Sequence, residues 1–177
     1  MLYNPYFSVV NHFQDFLSSE RGIGSNGVSG TFIVGYLEDD EIKKIKFVDE
    51  YLKGEANVDE HYVMPIITIE AGRFSQEGLE LGSDDSWNKH PFLVSIYAED
   101  EIELMRIAQF IVSGANAVVT LKDYDTDHTN PVNIGLLNSD KRNITAFPVR
   151  NIKTDQSIPI PKALKHRYEV SFVFETK

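Results

Sequence analysis

The chain has 177 residues, 42% of them apolar and 25% charged, values that fit one globular domain with a core and exclude a disordered chain. The absence of cysteine excludes a disulfide scaffold and any thiolate metal site. A formal net charge of −10, with the 17 basic residues scattered apart from clusters at Lys43, Lys44 and Lys46 and at Lys162, Lys165, His166 and Arg167, argues against tight binding to nucleic acid.

The first residues, Met1-Leu2-Tyr3-Asn4-Pro5, lack the basic and apolar regions of a leader peptide, and no apolar run approaches the roughly 20 residues that cross a bilayer. A protein made in the cytoplasm is expected. The chain then opens with a helix. Asn4 is placed to cap it, Pro5 suits the first turn, and Tyr6, Val9, Val10, Phe13, Phe16 and Leu17 fall on one face. A Gly/Ser-rich stretch at 22–30 leads to a strand at 31–37. In residues 39–54, the spacing of Ile42, Ile45, Val48 and Leu52 favours a helix, while the alternation of Ile45 and Phe47 leaves a hairpin open.

Residues 63–70 read as a strand with Pro65 at its start or on an edge. A polar loop is expected over 72–91, then a strand over 92–98. Asp100 and Glu103 have capping-box spacing, and Leu104, Met105, Ala108, Ile111 and Val112 line a helical face that Gly114 should stop. A further strand is expected at 117–124, with short β-like runs at 132–137 and 144–149. The alternation of Tyr168, Val170, Phe172 and Phe174 with Glu169, Ser171, Val173 and Glu175 is that of a half-buried strand. The expected fold is α+β: a mostly antiparallel mixed sheet with two to three helices on one face and long loops, in a single domain over 1–177.

Motifs for chemistry are sparse. Gly22-Ile23-Gly24-Ser25-Asn26-Gly27 matches GxGxxG as a string, but a helix precedes it and a strand follows, the reverse of a dinucleotide site, so a turn is expected. Asp123, Asp125, Asp127 and His128 resemble the start of a calcium loop, yet His128 stands where that loop needs Gly and Ile134 where it needs Glu. A solvated acidic loop is the expectation, with a weak surface cation site as the alternative. His12, His61, His90, His128 and His166 show no metal-ligand spacing, and there is no GxSxG elbow. No catalytic, cofactor-binding or metal residue is assigned. In the 71–90 segment, Arg73, Phe74, Leu79, Leu81 and Trp87 put large side chains in a polar connection; they are either anchors of a protein–protein contact or, for Phe74 and Trp87, a cover for the core.

The order of these pieces resembles the tail-terminator, or tail-completion, proteins of long-tailed bacteriophages, especially the lambda-like type. The likeness rests on VMPIITIEAGRF at 63–74, GSDDSW at 82–87, HPFLVSIYAEDEIELMRIAQFI at 90–111 and RYEVSFVFE at 167–175, and more loosely on the first helix. Residues 22–60 and 125–161 are longer than the pattern needs. The resemblance implies a virion protein of the neck or tail that performs no reaction and needs no cofactor. Copies would form a ring, hexameric in the family, that caps the tail tube protein, ends its polymerisation and meets the head–tail connector protein, with DNA passing through the lumen unbound. Another neck, tail or baseplate adaptor subunit, or a small enzyme or ligand-binding protein, stands as the alternative.

Overall fold

The apolar alternation at 92–97 and 167–176 forms the two central strands of one sheet, and everything else is arranged around that pair. The computed structural model describes residues 3–24, 29–35, 64–78, 86–98, 100–149 and 167–176. Their elements are α1 (Tyr3–Arg21), β1 (Thr31–Val34), β2 (Ile66–Ala71), β3 (Ser75–Gly78), β4 (Ser86–Tyr97), α2 (Glu101–Ala115), β5 (Val119–Asp123), β6 (Val132–Ser139), a 3₁₀ turn (Lys141–Asn143), β7 (Thr145–Val149) and β8 (Arg167–Thr176). The strands lie in the order β1-β2-β4-β8-β6-β5, with β3 also on β4 and β7 also on β8. Only β1 and β2 run parallel; all other pairs are antiparallel. The fold is the expected α+β arrangement with a mostly antiparallel mixed sheet.

Both helices cover one face of that sheet. In register, Phe92 opposes Phe172, Val94 opposes Val170 and Ile96 opposes Ile67, so these side chains point the same way. They join Val9, Phe13 and Leu17 of α1 and Leu104, Ile107 and Ile111 of α2 in a single buried cluster. Phe13 tilts against Phe172 at 5.2 Å between ring centroids, and Phe172 stacks on Phe92 at 5.7 Å. Each such side chain contributes about 1.5–3 kcal/mol by leaving water. A surface ion pair such as Lys89–Glu175, at 3.9 Å, contributes roughly 0–1 kcal/mol. The apolar pattern therefore decides the fold.

The other face carries a polar group held by its own partners. The Arg167 guanidinium donates to Glu169 Oε1 through Nη2 at 2.6 Å and Nε at 2.7 Å, and through Nη1 to the Tyr97 hydroxyl at 3.4 Å. Ile66, Thr68, Ser95, Tyr97 and Glu169 on this face are buried.

Several local expectations change. The segment 72–91 is not one polar loop: β3 lies within it, and β4 begins at Ser86, because the backbone of 75–78 pairs with 86–89. Pro65 does precede its strand, and the Asp100 carboxylate does cap α2, accepting from the Glu103 N–H at 2.8 Å. Gly114, however, does not stop α2. It is buried inside the helix, which ends at Ala115 with Asn116 as its cap. The buried face of α2 is Leu104, Ile107, Ala108, Ile111 and Ala115, and Met105 is 47% exposed. The helix is rotated from the expected face because α1 approaches over Gly114. The 39–54 segment lies outside the described residues, as do residues 25–27 of the GxGxxG string and 36–37 of the first expected strand.

Candidate functional site

A sheet with two outer sides needs something to satisfy or shield its unpaired backbone. On β5 this is done by α1. Asn4 and Ser8, one helical turn apart, aim their side chains at the strand: Asn4 Oδ1 accepts from the Tyr124 N–H at 3.0 Å, and Ser8 Oγ accepts from the Lys122 N–H at 3.0 Å. Asn11 Nδ2 donates to the Tyr124 hydroxyl at 2.7 Å. Asn4 is thus not the helix cap that its position implied. It lies within α1, and its amide is used up in tying α1 to the sheet edge.

β6 is left differently. It pairs with β8 only at Asn138 and Ser139, while its residues 132–137 run alongside β5 alone. Beyond Asn138, one side of β6 faces no other described strand. Along this stretch Val132, Ile134 and Leu136 are 64%, 55% and 58% exposed, whereas Leu137 is fully buried opposite Val119. The pairing skips Ile134, a bulge that turns the hairpin out of plane. An apolar strand edge open to solvent is the kind of surface that takes another chain.

Beside this hairpin lies a groove of about 440 Å³, lined by Asn4 and Pro5 of α1, Phe74, Asn88 and His90, Leu121, Asp123 and Asp125, Ile134 and Thr176. Its apolar walls are Phe74, Pro5, Leu121 and Ile134. The Phe74 ring lies 5.3 Å from that of His90, whose Nε2 is 3.3 Å from Thr176 Oγ1. Burial pushes the His90 imidazole below its ordinary value, which favours the neutral ring.

The acidic wall belongs to the D-x-D-x-D run. Asp123 accepts from the Thr126 hydroxyl at 2.8 Å, from the Asp125 N–H at 2.9 Å and from Asn4 Nδ2 at 3.3 Å. These bonds, that of Thr126 foremost, hold its carboxyl below the usual range and keep it ionised. Asn4 Nδ2 also donates to Asp125 Oδ2 at 3.4 Å. Asp127 accepts from the Thr129 and Asn130 N–H groups at 2.8 Å and 3.1 Å. The run builds the turn between β5 and β6. Among the described residues no three His, Asp or Glu side chains come together as a metal-binding group.

Of the five residues singled out in the 71–90 segment, Phe74 reaches the groove. Arg73 is exposed beside it at the turn between β2 and β3, and Trp87 is half-buried in β4 opposite Glu77 in register. Leu79 and Leu81 lie outside the described residues. The open apolar side chains of β6 were not singled out from the sequence, although the alternation of Val132, Ile134 and Leu136 is visible there; the bulge at Ile134 puts Val132 and Leu136 on opposite faces of the hairpin. Alternation marks a strand, and it does not say whether the apolar side meets a core or water. No protein-family model and no curated protein matches this chain.

Proposed function

We propose that this chain is a virion structural protein of a phage neck or tail, whose copies form a closed ring, hexameric as in the tail terminators it resembles, that caps the tail tube, ends its polymerisation and joins it to the head connector. The observation that carries this reading is the stretch 132–137 of β6, which pairs with β5 on one side and with no described strand on the other, and along which Val132, Ile134 and Leu136 are exposed. Its contrast with β5 supports the same view: on the β5–β6 hairpin the β5 side is sealed by Asn4 and Ser8, so lateral contact at this hairpin falls to the β6 side. A contact between two different surfaces, repeated around an axis, closes as a ring when its rotation divides a full turn and grows as a filament when it does not. The acidic charge of −10 suits a lumen through which DNA slides without sticking.

The test is the mass of the purified full chain by light scattering, with electron microscopy of the same sample and of virions labelled for the protein. Closed rings and labelling at the head-proximal end of the tail are expected. A chain that stays at 20.1 kDa at every concentration and is missing from virions defeats the reading. Labelling at the baseplate would assign the ring to the other end of the tail.

A further inference from the structure

Copies that each carry a net charge of −10 repel one another, so a contact between them needs local charge complementarity. The groove beside the β5–β6 hairpin offers one half of such a contact. Asp123 and Asp125 stand on one wall, no Lys or Arg among the described residues lines it, and Phe74, Pro5, Leu121 and Ile134 supply apolar walls. Carboxylates above an aromatic and aliphatic surface match a cation on a long apolar stem, which is the chemistry of an arginine or lysine side chain. The carboxylates are also held in place: Asn4 bridges both from α1, and Thr126 fixes Asp123.

The same chain displays the other half. Among the described residues, the one place where two basic side chains are adjacent and both exposed is Lys141–Arg142, on the 3₁₀ turn between β6 and β7. This turn is rigidly presented. The Asp140 N–H donates to the Val173 carbonyl at 2.9 Å, and the Asp140 carboxylate accepts from the Arg142 N–H at 3.2 Å and from the Asn143 side chain. A basic knuckle on one part of the surface and an acidic groove on another are the two unlike faces that a head-to-tail contact requires.

We infer that the groove between Phe74, Asp123 and Asp125 is the docking site for the Lys141–Arg142 turn of a second copy of this chain. The inference rests on the ring reading and names the contact that orients neighbouring copies, beside the apolar edge that adheres them. Arg142 enters over the Phe74 ring toward the two carboxylates, and Lys141 meets the acidic rim.

A charge swap tests it. Asp125→Lys in one protein and the pair Lys141→Glu, Arg142→Glu in another should each weaken assembly of the full chain about tenfold, read as the concentration at which light scattering shows half the copies assembled. Asp125 is exposed and the 3₁₀ turn is at the surface, so both variants keep the wild-type circular dichroism. An equimolar mixture of the two variants should assemble again in alternating order, as should the protein carrying all three changes. Phe74→Ala weakens assembly too, and no swap rescues it. If the wild type forms rings and Asp125→Lys forms them equally well, the groove takes some other partner and this inference is overturned while the ring stands. A single variant that weakens assembly with no recovery in the swap overturns the pairing with Lys141–Arg142. A wild type that never assembles removes both readings.

Discussion

The Cβ that an alanine would add at Gly114 lies 2.8 Å from Cε1 of Phe13 and 3.0 Å from Cε1 of Phe16, so α1 can cross α2 only because residue 114 has no side chain. His12 reinforces the crossing, with Nε2 3.3 Å from the Gly114 carbonyl oxygen. Helix propensity alone would make Gly114→Ala stabilising by about 1 kcal/mol. Overpacking a ring that is fully buried costs about 1–3 kcal/mol. Overpacking wins, and Gly114→Ala is expected to lower the urea midpoint, with Gly114→Val lowering it further. A variant with a raised midpoint would show that the two helices part without cost.

Asn4→Ala removes the acceptor of the buried Tyr124 N–H and leaves that group without its partner. The expected loss is about 1–3 kcal/mol, against about 0.5–1.5 kcal/mol for Ser8→Ala at the part-buried Lys122 N–H. Hydrogen exchange at Tyr124 gives a local reading: it should quicken strongly in Asn4→Ala and little in Ser8→Ala.

Two histidines make stability depend on pH in the same direction. Desolvation lowers His12 and His90 below the ordinary value of 6.5, so the folded chain resists protonation that the unfolded chain accepts. Their contribution is complete above about pH 6.5 and is lost as pH falls toward the lowered folded values. For Asp123 and Asp127, whose folded values are lowered by hydrogen bonds, the contribution holds above 3.8 and is lost as pH falls through those folded values. Denaturation curves between pH 7 and pH 5 should therefore show declining stability, and His90→Gln should flatten that decline in part. A decline unaffected in both His90→Gln and His12→Gln would place its origin elsewhere.

Leu136→Lys puts a charge on the open edge of β6 at a side chain that is 58% exposed. Assembly should weaken by tenfold or more, while the thermal midpoint stays close to the wild type, since substitutions away from buried contacts usually change stability by about 0.5 kcal/mol or less. Leu137→Lys, one residue on, is the contrast. That side chain is buried, and the protein should fail to fold. Assembly undiminished by Leu136→Lys would remove the β6 edge from the interface.

Strand and helix identity was legible wherever one apolar period ran long enough. The alternation through 168–174 and the Asp100 cap on the helix that follows both stand as read. Expectations that depended on one residue's local habit fared less well. Asn4 looked like a cap and is a cross-link to β5; Gly114 looked like a stop and is a crossing point. Both residues have a local use and a tertiary use, and spacing along the chain records only the first. The polar run at 72–91 hid β3 because a short strand paired mainly through its backbone leaves little apolar signature.

The sequence by itself determined the class of fold and the position of its core, since burying the apolar faces of two helices and the central strands dominates the free energy and is written in their periodicity. Only the tertiary structure decided which strand edge is sealed and which is open, and it alone brought Phe74, His90, Asp123 and Asp125 to one groove. Those outcomes depend on which segments become neighbours across more than a hundred residues, as Asn4 and Tyr124 do. Hydrogen bonds and charges act over a few ångströms of space, with no regard for separation along the chain.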